Sequence, residues 1–205
     1  MTKNKLNFSP QFMSNVPASA GSKWGKIALG AFGALVIFLA FSTFHVVSSG
    51  QVGVITKFGA VQEEILPEGI HLINPIGTEV VPINVRVQKI EADATASSKD
   101  LQNVTSKVAL NFFLSKEKAN TIFQELGLDY RITIIEPAIQ ESIKSATAAY
   151  TAEELITKRP AVKQDVFESI KNRLEKNNII VTDFSIIDFN FTEEFNKAIE
   201  KKQIA

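Results

Sequence analysis

Cysteine is absent from all 205 residues, so no disulfide can staple this chain and no thiolate can bind a metal or act as a nucleophile. With no cysteine usage to read, the redox compartment stays open. Histidine is nearly as scarce, with only His45 and His71. Acid is missing from the first 62 positions, Glu63 being the first carboxylate. The basic residues of that stretch begin with Lys3, Lys5, Lys23 and Lys26, and the next is Lys57. Over the whole chain, 22 basic residues balance 22 acidic ones. Setting the four early lysines aside leaves 18 basic and 22 acidic residues, a net charge of −4. A mildly acidic remainder argues against a nucleic-acid partner, which calls for a basic face.

These shortages also narrow the chemistry. A Ser–His–acid triad would have to use His71, because His45 falls inside a long apolar run. The simpler reading of His71 is a ring that fixes its own turn by hydrogen bonds. With one histidine in an anchor and the other in a turn, a two-His metal site within one chain is not expected. Ser48-Ser49-Gly50 lacks the strand–turn–helix setting of a nucleophile elbow and reads as a linker. Glu63-Glu64 reads as a solvated hairpin face and Glu153-Glu154 as a helix cap. No catalytic residue, metal or cofactor is expected, and the chain is not expected to be an enzyme.

What the sequence does have is one long uncharged run, Ile27 to Val47 (IALGAFGALVIFLAFSTFHVV). As a helix its roughly 21 residues would span about 31 Å, the thickness of a bilayer's hydrocarbon core. Trp24 and Lys26 at its near border suit the headgroup layer, with Ile27 and Val47 as its ends. A cleaved secretory signal has a shorter apolar core nearer the start, so a permanent anchor is the better reading. Excess Lys on the short N-terminal side of the run, with no acid beside it, predicts an N-terminus in the cytoplasm or an organelle matrix. Residues 50 to 205 would then lie on the opposite side, in the periplasm or an intermembrane space.

The rest divides by periodicity. Residues 1–22, rich in Asn, Ser, Pro and Gly, predict a disordered tail. Gln51–Gly59 and Val61–Leu66 read as a hairpin about Phe58-Gly59, followed by a Pro67-Glu68-Gly69 turn and a short apolar stretch from Ile70. Glu79–Ala92 alternates as a single strand whose Pro82 marks an edge or a bulge. After a polar patch at 95–103, Val104–Leu114 is a strand burying Val104, Ser106, Val108, Leu110, Phe112 and Leu114. The period then turns helical. Ser115 is the expected N-cap of 116–126, and 130–149 is a longer helix kinked or started by Pro137. Thr151 and Glu154 form a capping box, and a helix from Pro160 carries Val162, Val166, Ile170 and Leu174 on one side. Ile179–Phe191 is a strand with a bulge near Phe184, and a last helix starts after Thr192.

QVGVITKFGAVQEEILPEGIHLINP, beginning at Gln51, resembles the opening of the stomatin–prohibitin–flotillin (SPFH, band-7) superfamily. EPAIQESIKSATAAYTAEELITKR, IIVTDFSIIDFNF and FTEEFNKAIEKKQIA are similar to its prohibitin-like branch. The resemblance implies an α+β fold: one transmembrane helix (23–47), a two-lobed SPFH-type domain (48–191) with an antiparallel β lobe and an α/β lobe, and the beginning of a C-terminal helix or coiled coil (192–205). It further implies a membrane-anchored scaffold that assembles with itself or a related subunit into a ring or cage. Such assemblies regulate membrane protein quality control, notably AAA+ membrane proteases. Relatives continue into a long coiled coil, whereas this sequence ends at Ala205. The competing reading is a monomeric anchored module that binds a lipid or peptide. Val52, Val54, Phe58, Ile70 and Leu72 are the expected membrane-proximal residues, and Phe195 and Ile199 the expected oligomer interface.

Overall fold

The computed structural model describes residues 26–34, 43–193 and 195. Two units separate, Met1–Thr43 and Phe44–Ala205. In the first, residues 26–34 form a helix (α1) in which Lys26 and Ile27 are exposed. Trp24 and residues 35–42 lie outside the described residues. Among the described residues no helix is long and apolar enough to cross a membrane.

The expected anchor does not continue to Val47. Phe44–Val47 is a strand (β1), and it pairs antiparallel with β4 (Gly69–Leu72). The run Phe-His-Val-Val is aromatic and β-branched, which suits a pleated ribbon once a partner strand supplies the ladder bonds. Apolar composition alone cannot separate such a strand from the end of a helix.

Between these strands come β2 (Gln51–Lys57) and β3 (Ala60–Leu66), and β5 (Thr78–Asn84) completes a three-stranded sheet of order β3-β2-β5. Pro82 sits on β5, an edge strand of that sheet, where its missing N–H costs least. The expected strand 79–92 is in fact two. The chain leaves the sheet at Val85–Val87 and begins β6 (Gln88–Ser97) in a different sheet. An Asn84 side-chain acceptor for the Arg86 N–H (3.1 Å) supports that corner.

The second sheet has order β6-β7-β8, all antiparallel, with β7 at Asn103–Leu114 and β8 at Ile179–Phe191. Every inward residue expected on β7, from Val104 to Leu114, is buried. The register on β8 shifts twice, skipping Thr182 and Ile187, so two bulges flank Phe184. Thr182 uses its freedom to donate its hydroxyl to the Asn111 carbonyl (3.1 Å).

Helices cover the sheet. A 3-10 turn at Lys116–Lys118 leads into α2 (Ala119–Leu126). Ser115 does not cap it as expected: its hydroxyl donates to the Glu117 carboxylate instead (3.0 Å). A π-helical turn, Arg131–Ile135, precedes α3 (Glu136–Ala149). Pro137 explains that turn, because it has no N–H to give to the carbonyl four residues back. It stands in the first turn of α3, not at a kink. Then come α4 (Ala152–Thr157) and α5 (Arg159–Glu175). The capping box of α4 forms in both directions, Glu154 N–H to Thr151 Oγ1 (3.2 Å) and Thr151 N–H to Glu154 Oε2 (3.0 Å). Helix α3 lies on β6, α5 on β8, and the two touch, with the Ser169 hydroxyl donating to that of the fully buried Ser142 (2.9 Å).

Phe112 is fully buried at the centre of this core, edge-on to Tyr130 at 6.3 Å. Phe112→Ala is expected to lower unfolding stability by about 3–5 kcal/mol, against under about 0.5 kcal/mol for the exposed Ile132→Ala. Urea unfolding followed by far-ultraviolet circular dichroism measures both; equal small losses would place Phe112 outside the core.

Candidate functional site

The most unusual surface is the β1–β4 ribbon. Alternation along paired strands puts Phe44, Val46, Ile70 and Leu72 on one face. All four are exposed, at 57 %, 65 %, 70 % and 73 %. Phe44 faces Leu72 and Val46 faces Ile70, so they form two adjacent apolar rungs. The other face carries His45, Val47 and His71, and Val47 is buried with Ile55, Leu66 and Val80. A glycine makes that contact possible. A Cβ at Gly53 would lie 2.7 Å from Val80 Cγ1 and 3.1 Å from Val47 Cγ2. Only a residue without a side chain lets the ribbon settle on β2.

A second apolar point is the β2–β3 turn. Phe58 (φ +50°) and Gly59 (φ +84°) are its two central residues, the conformation of a tight primed hairpin turn. Positive φ is costly for an aromatic residue. Its N–H is held by the Gly77 carbonyl (2.6 Å), and the side chain is 86 % exposed. Ile76, beside that acceptor in the chain, is exposed as well.

The expected membrane-proximal residues therefore divide. Phe58, Ile70 and Leu72 are open to the surroundings, but Val52 and Val54 are not: they are buried in the main core. The correction has a simple cause, since β2 is covered on both faces and its alternation does not distinguish in from out. Phe44 and Val46 were hidden from sequence reasoning by being counted in the anchor. The polar His45 within that apolar run was the available signal. Val47 is a buried strand residue and not the end of a helix. Phe195 is half-buried, its ring 5.1 Å from that of Phe191, so part of this face packs on its own domain. Ile199 lies outside the described residues.

The histidines are placed differently from the sequence-based expectation. His45 is on β1, directly opposite His71 on β4, so the two imidazoles share a rung. His71 also fixes its own turn as expected, with Nε2 2.6 Å from the Pro67 carbonyl oxygen.

A sequence profile described as the SPFH domain / Band 7 family matches residues 45–205. The chain belongs to the SPFH domain / Band 7 family. Within it the chain falls in the prohibitin-like branch. It is 30 % identical over 192 residues to prohibitin-7, mitochondrial, of Arabidopsis thaliana, covering 93 % of this chain and 69 % of that one. To prohibitin-2 of Dictyostelium discoideum it is 32 % identical over 212 residues, covering 98 % and 69 %. To prohibitin-2 of Saccharomyces cerevisiae it is 31 % identical over 195 residues, covering 93 % and 61 %. The Band 7 match begins at His45, within one residue of where the structure places the start of the second unit.

Titratable groups with shifted acidity in this Band 7 domain each have a local structural partner. The Glu154 carboxyl is held down first by Lys158 and then by the backbone of Thr151. The Tyr150 hydroxyl, bonded to Asp165 at 2.6 Å, is pushed up by that contact. Asp100, in the β6–β7 turn, accepts from the Ser98 hydroxyl (2.6 Å) and from the Ala152 N–H (2.9 Å), tying the turn to the start of α4. The Ser98 bond, then the Ala152 bond, keep its carboxyl below the usual range against partial desolvation.

A depressed folded-state value means that this stabilisation is present at neutral pH and is lost as pH falls through it. Asp100→Asn is therefore expected to melt below the parent at about pH 7, with the gap narrowing at about pH 3. Melting followed by circular dichroism at both values tests this; a gap independent of pH would show that the charge of Asp100 contributes nothing.

Proposed function

We propose that this Band 7 protein is a membrane-attached scaffold subunit that assembles with copies of itself or a related subunit into a ring or cage. The observation that carries the reading is the doubly apolar rung of the ribbon, Phe44–Leu72 and Val46–Ile70, left uncovered on a folded domain. Contiguous exposed apolar side chains mark a membrane or protein contact, and two adjacent rungs on a rigid ladder suit the upper acyl region of a bilayer. Phe58, held at a strained turn with its ring outward, suits the same role.

In this reading the anchor is supplied by the uncharged stretch that precedes Phe44, from about Ile27. It contains roughly 17 residues, near the lower limit for a spanning helix. Phe44 is the next residue in the chain, so the ribbon would begin where the polypeptide leaves the bilayer. The lysine-bearing tail would remain in the cytoplasm or matrix, and the domain would stand on the opposite side. The named relatives include mitochondrial prohibitins and a "mitochondrial prohibitin complex protein" of Caenorhabditis elegans, which favours a multi-subunit assembly. Control of access to AAA+ membrane proteases is the role we assign to the assembly. Lateral contact through the segment beyond Thr192, Phe195 and Ile199 included, would add to contacts between the domains.

Two measurements test this. Residues 44–205, produced without the preceding stretch, are expected to float with vesicles of phosphatidylcholine and phosphatidylglycerol. Ile70→Ser with Leu72→Ser is expected to abolish most of that flotation at unchanged circular dichroism. Flotation equal to the parent's, or a parent that does not float, would reject lipid contact by the ribbon.

The full chain extracted in mild detergent is expected to form particles of many subunits by light scattering. A particle of one chain plus micelle would reject the scaffold and leave the single-copy lipid- or peptide-binding module.

A further inference from the structure

The only two histidines of the sequence, distant along the chain, meet at one rung of the β1–β4 ribbon. Both are half-buried, and alternation puts them on the face opposite Phe44, Val46, Ile70 and Leu72. Directly opposed residues of an antiparallel pair have Cβ atoms about 4.5–5.5 Å apart. Two imidazole nitrogens that share one ion at about 2.0–2.1 Å each stand roughly 2.8 Å apart at cis positions of a tetragonal ion and roughly 3.4 Å apart on a tetrahedral one, a range of about 0.6 Å. Side-chain rotation alone can bring two rings from such a rung into that range, with the ladder unmoved.

His71 is already arranged for the purpose. Its Nε2 lies 2.6 Å from the Pro67 carbonyl oxygen, and a carbonyl can only accept. Nε2 is therefore the donor, so in the neutral ring the lone pair is on Nδ1. Metal-binding imidazoles are held in this way, one N–H given to a carbonyl and the other nitrogen given to the ion.

We propose that His45 and His71 form a two-imidazole site for a late first-row divalent transition metal, with Cu2+ bound more tightly than Ni2+ or Zn2+. Neutral imidazole suits these ions and not Mg2+ or Ca2+, and the order follows the general trend of their affinities. Among the described residues no group of three His, Asp or Glu side chains converges to hold a metal, so water completes the coordination. Glu68, on the turn before β4, is engaged elsewhere, accepting the Gly50 N–H at 3.1 Å. The ion would bridge β1 and β4, which are joined over only four residue pairs. Binding would thus clamp the ribbon from the face opposite its apolar rungs. The site stands on the ribbon's register and does not depend on the scaffold reading.

The full chain, purified without a histidine tag, is titrated in detergent with Cu2+ alone and, separately, with Zn2+ alone. Calorimetry is expected to show one tight Cu2+ per chain, and electron paramagnetic resonance to show splitting from two imidazole nitrogens. The double variant His45→Ala, His71→Ala gives the background from the amino terminus and carboxylates. Either single variant is expected to weaken Cu2+ binding by about tenfold or more, as loss of one of two ligands requires. His71→Ala also removes the bond to Pro67, so His45→Gln is the cleaner variant, leaving that bond in place. Cu2+ binding by His45→Gln at the parent's affinity, or a parent indistinguishable from the double variant, would overturn the proposal.

Discussion

Strand β2 is closed on both faces, and the arrangement of the small lobe follows from that. Val52 and Val54 enter the main core beside Ile83 and Val85, while Ile55 points the other way into a cluster with Val47, Leu66 and Val80. Strands buried on one face alone alternate between apolar and polar residues; from Val52 to Thr56 this one does not. Helix α2 lies against β2 and β3, and the Asn120 amide donates to the Glu63 carbonyl (3.2 Å) at that junction. The two three-stranded sheets consequently share the main hydrophobic core, and the smaller cluster lies on the other face of β2. The ribbon is attached to the outer face of the same strand, at the one position where a glycine leaves room.

How much of this could be read in the sequence depended on whether one face or two were buried. Strand β7, with its strict inward set from Val104 to Leu114, and helix α5, with Val162, Val166, Ile170 and Leu174, are one-sided elements and were placed correctly. The capping box of α4 was legible because it is local chemistry, complete within four residues. Phe44–Val47 was misread because its helical alternative is equally apolar and its partner, β4, is remote in sequence. The corner at Val85–Val87 was missed because the apolar period of Val81, Ile83 and Val85 carries on to Val87, which the structure leaves exposed, and the inward set changes phase only beyond it, to Ile90, Ala92 and Ala94. The meeting of His45 and His71 follows from that pairing and so could not be foreseen without it.

The three-stranded sheet beside α3 and α5 has two free edges, and an arginine blunts each. Arg131 Nη2 donates to the Lys89 carbonyl of β6 (3.0 Å). Arg159 Nη2 donates to the Ile186 and Ile187 carbonyls of β8 (2.7 and 3.1 Å) and lies over the Phe189 ring. Unpaired strand carbonyls invite indiscriminate pairing with other chains, and a charged donor on each edge discourages it. Among the described residues, the large apolar side chains left open stand on turns, corners, helix surfaces and the ribbon, apart from Ile187 at a bulge of the edge strand β8, where Arg159 bonds the backbone.

The Phe58 turn has a mechanical meaning. Its two residues leave the tip itself no spare length, and the Gly77 carbonyl ties it to the start of β5. The slack of the hairpin lies on β3, where the register shifts between the partners of Val54 and Thr56. A force applied at the tip therefore acts more directly on β2, a strut of seven residues and about 23 Å, whose far half is embedded in the main core. Displacement at the tip is thereby passed along β2 to the side chains of Val52 and Val54, where that strand is packed into the main core.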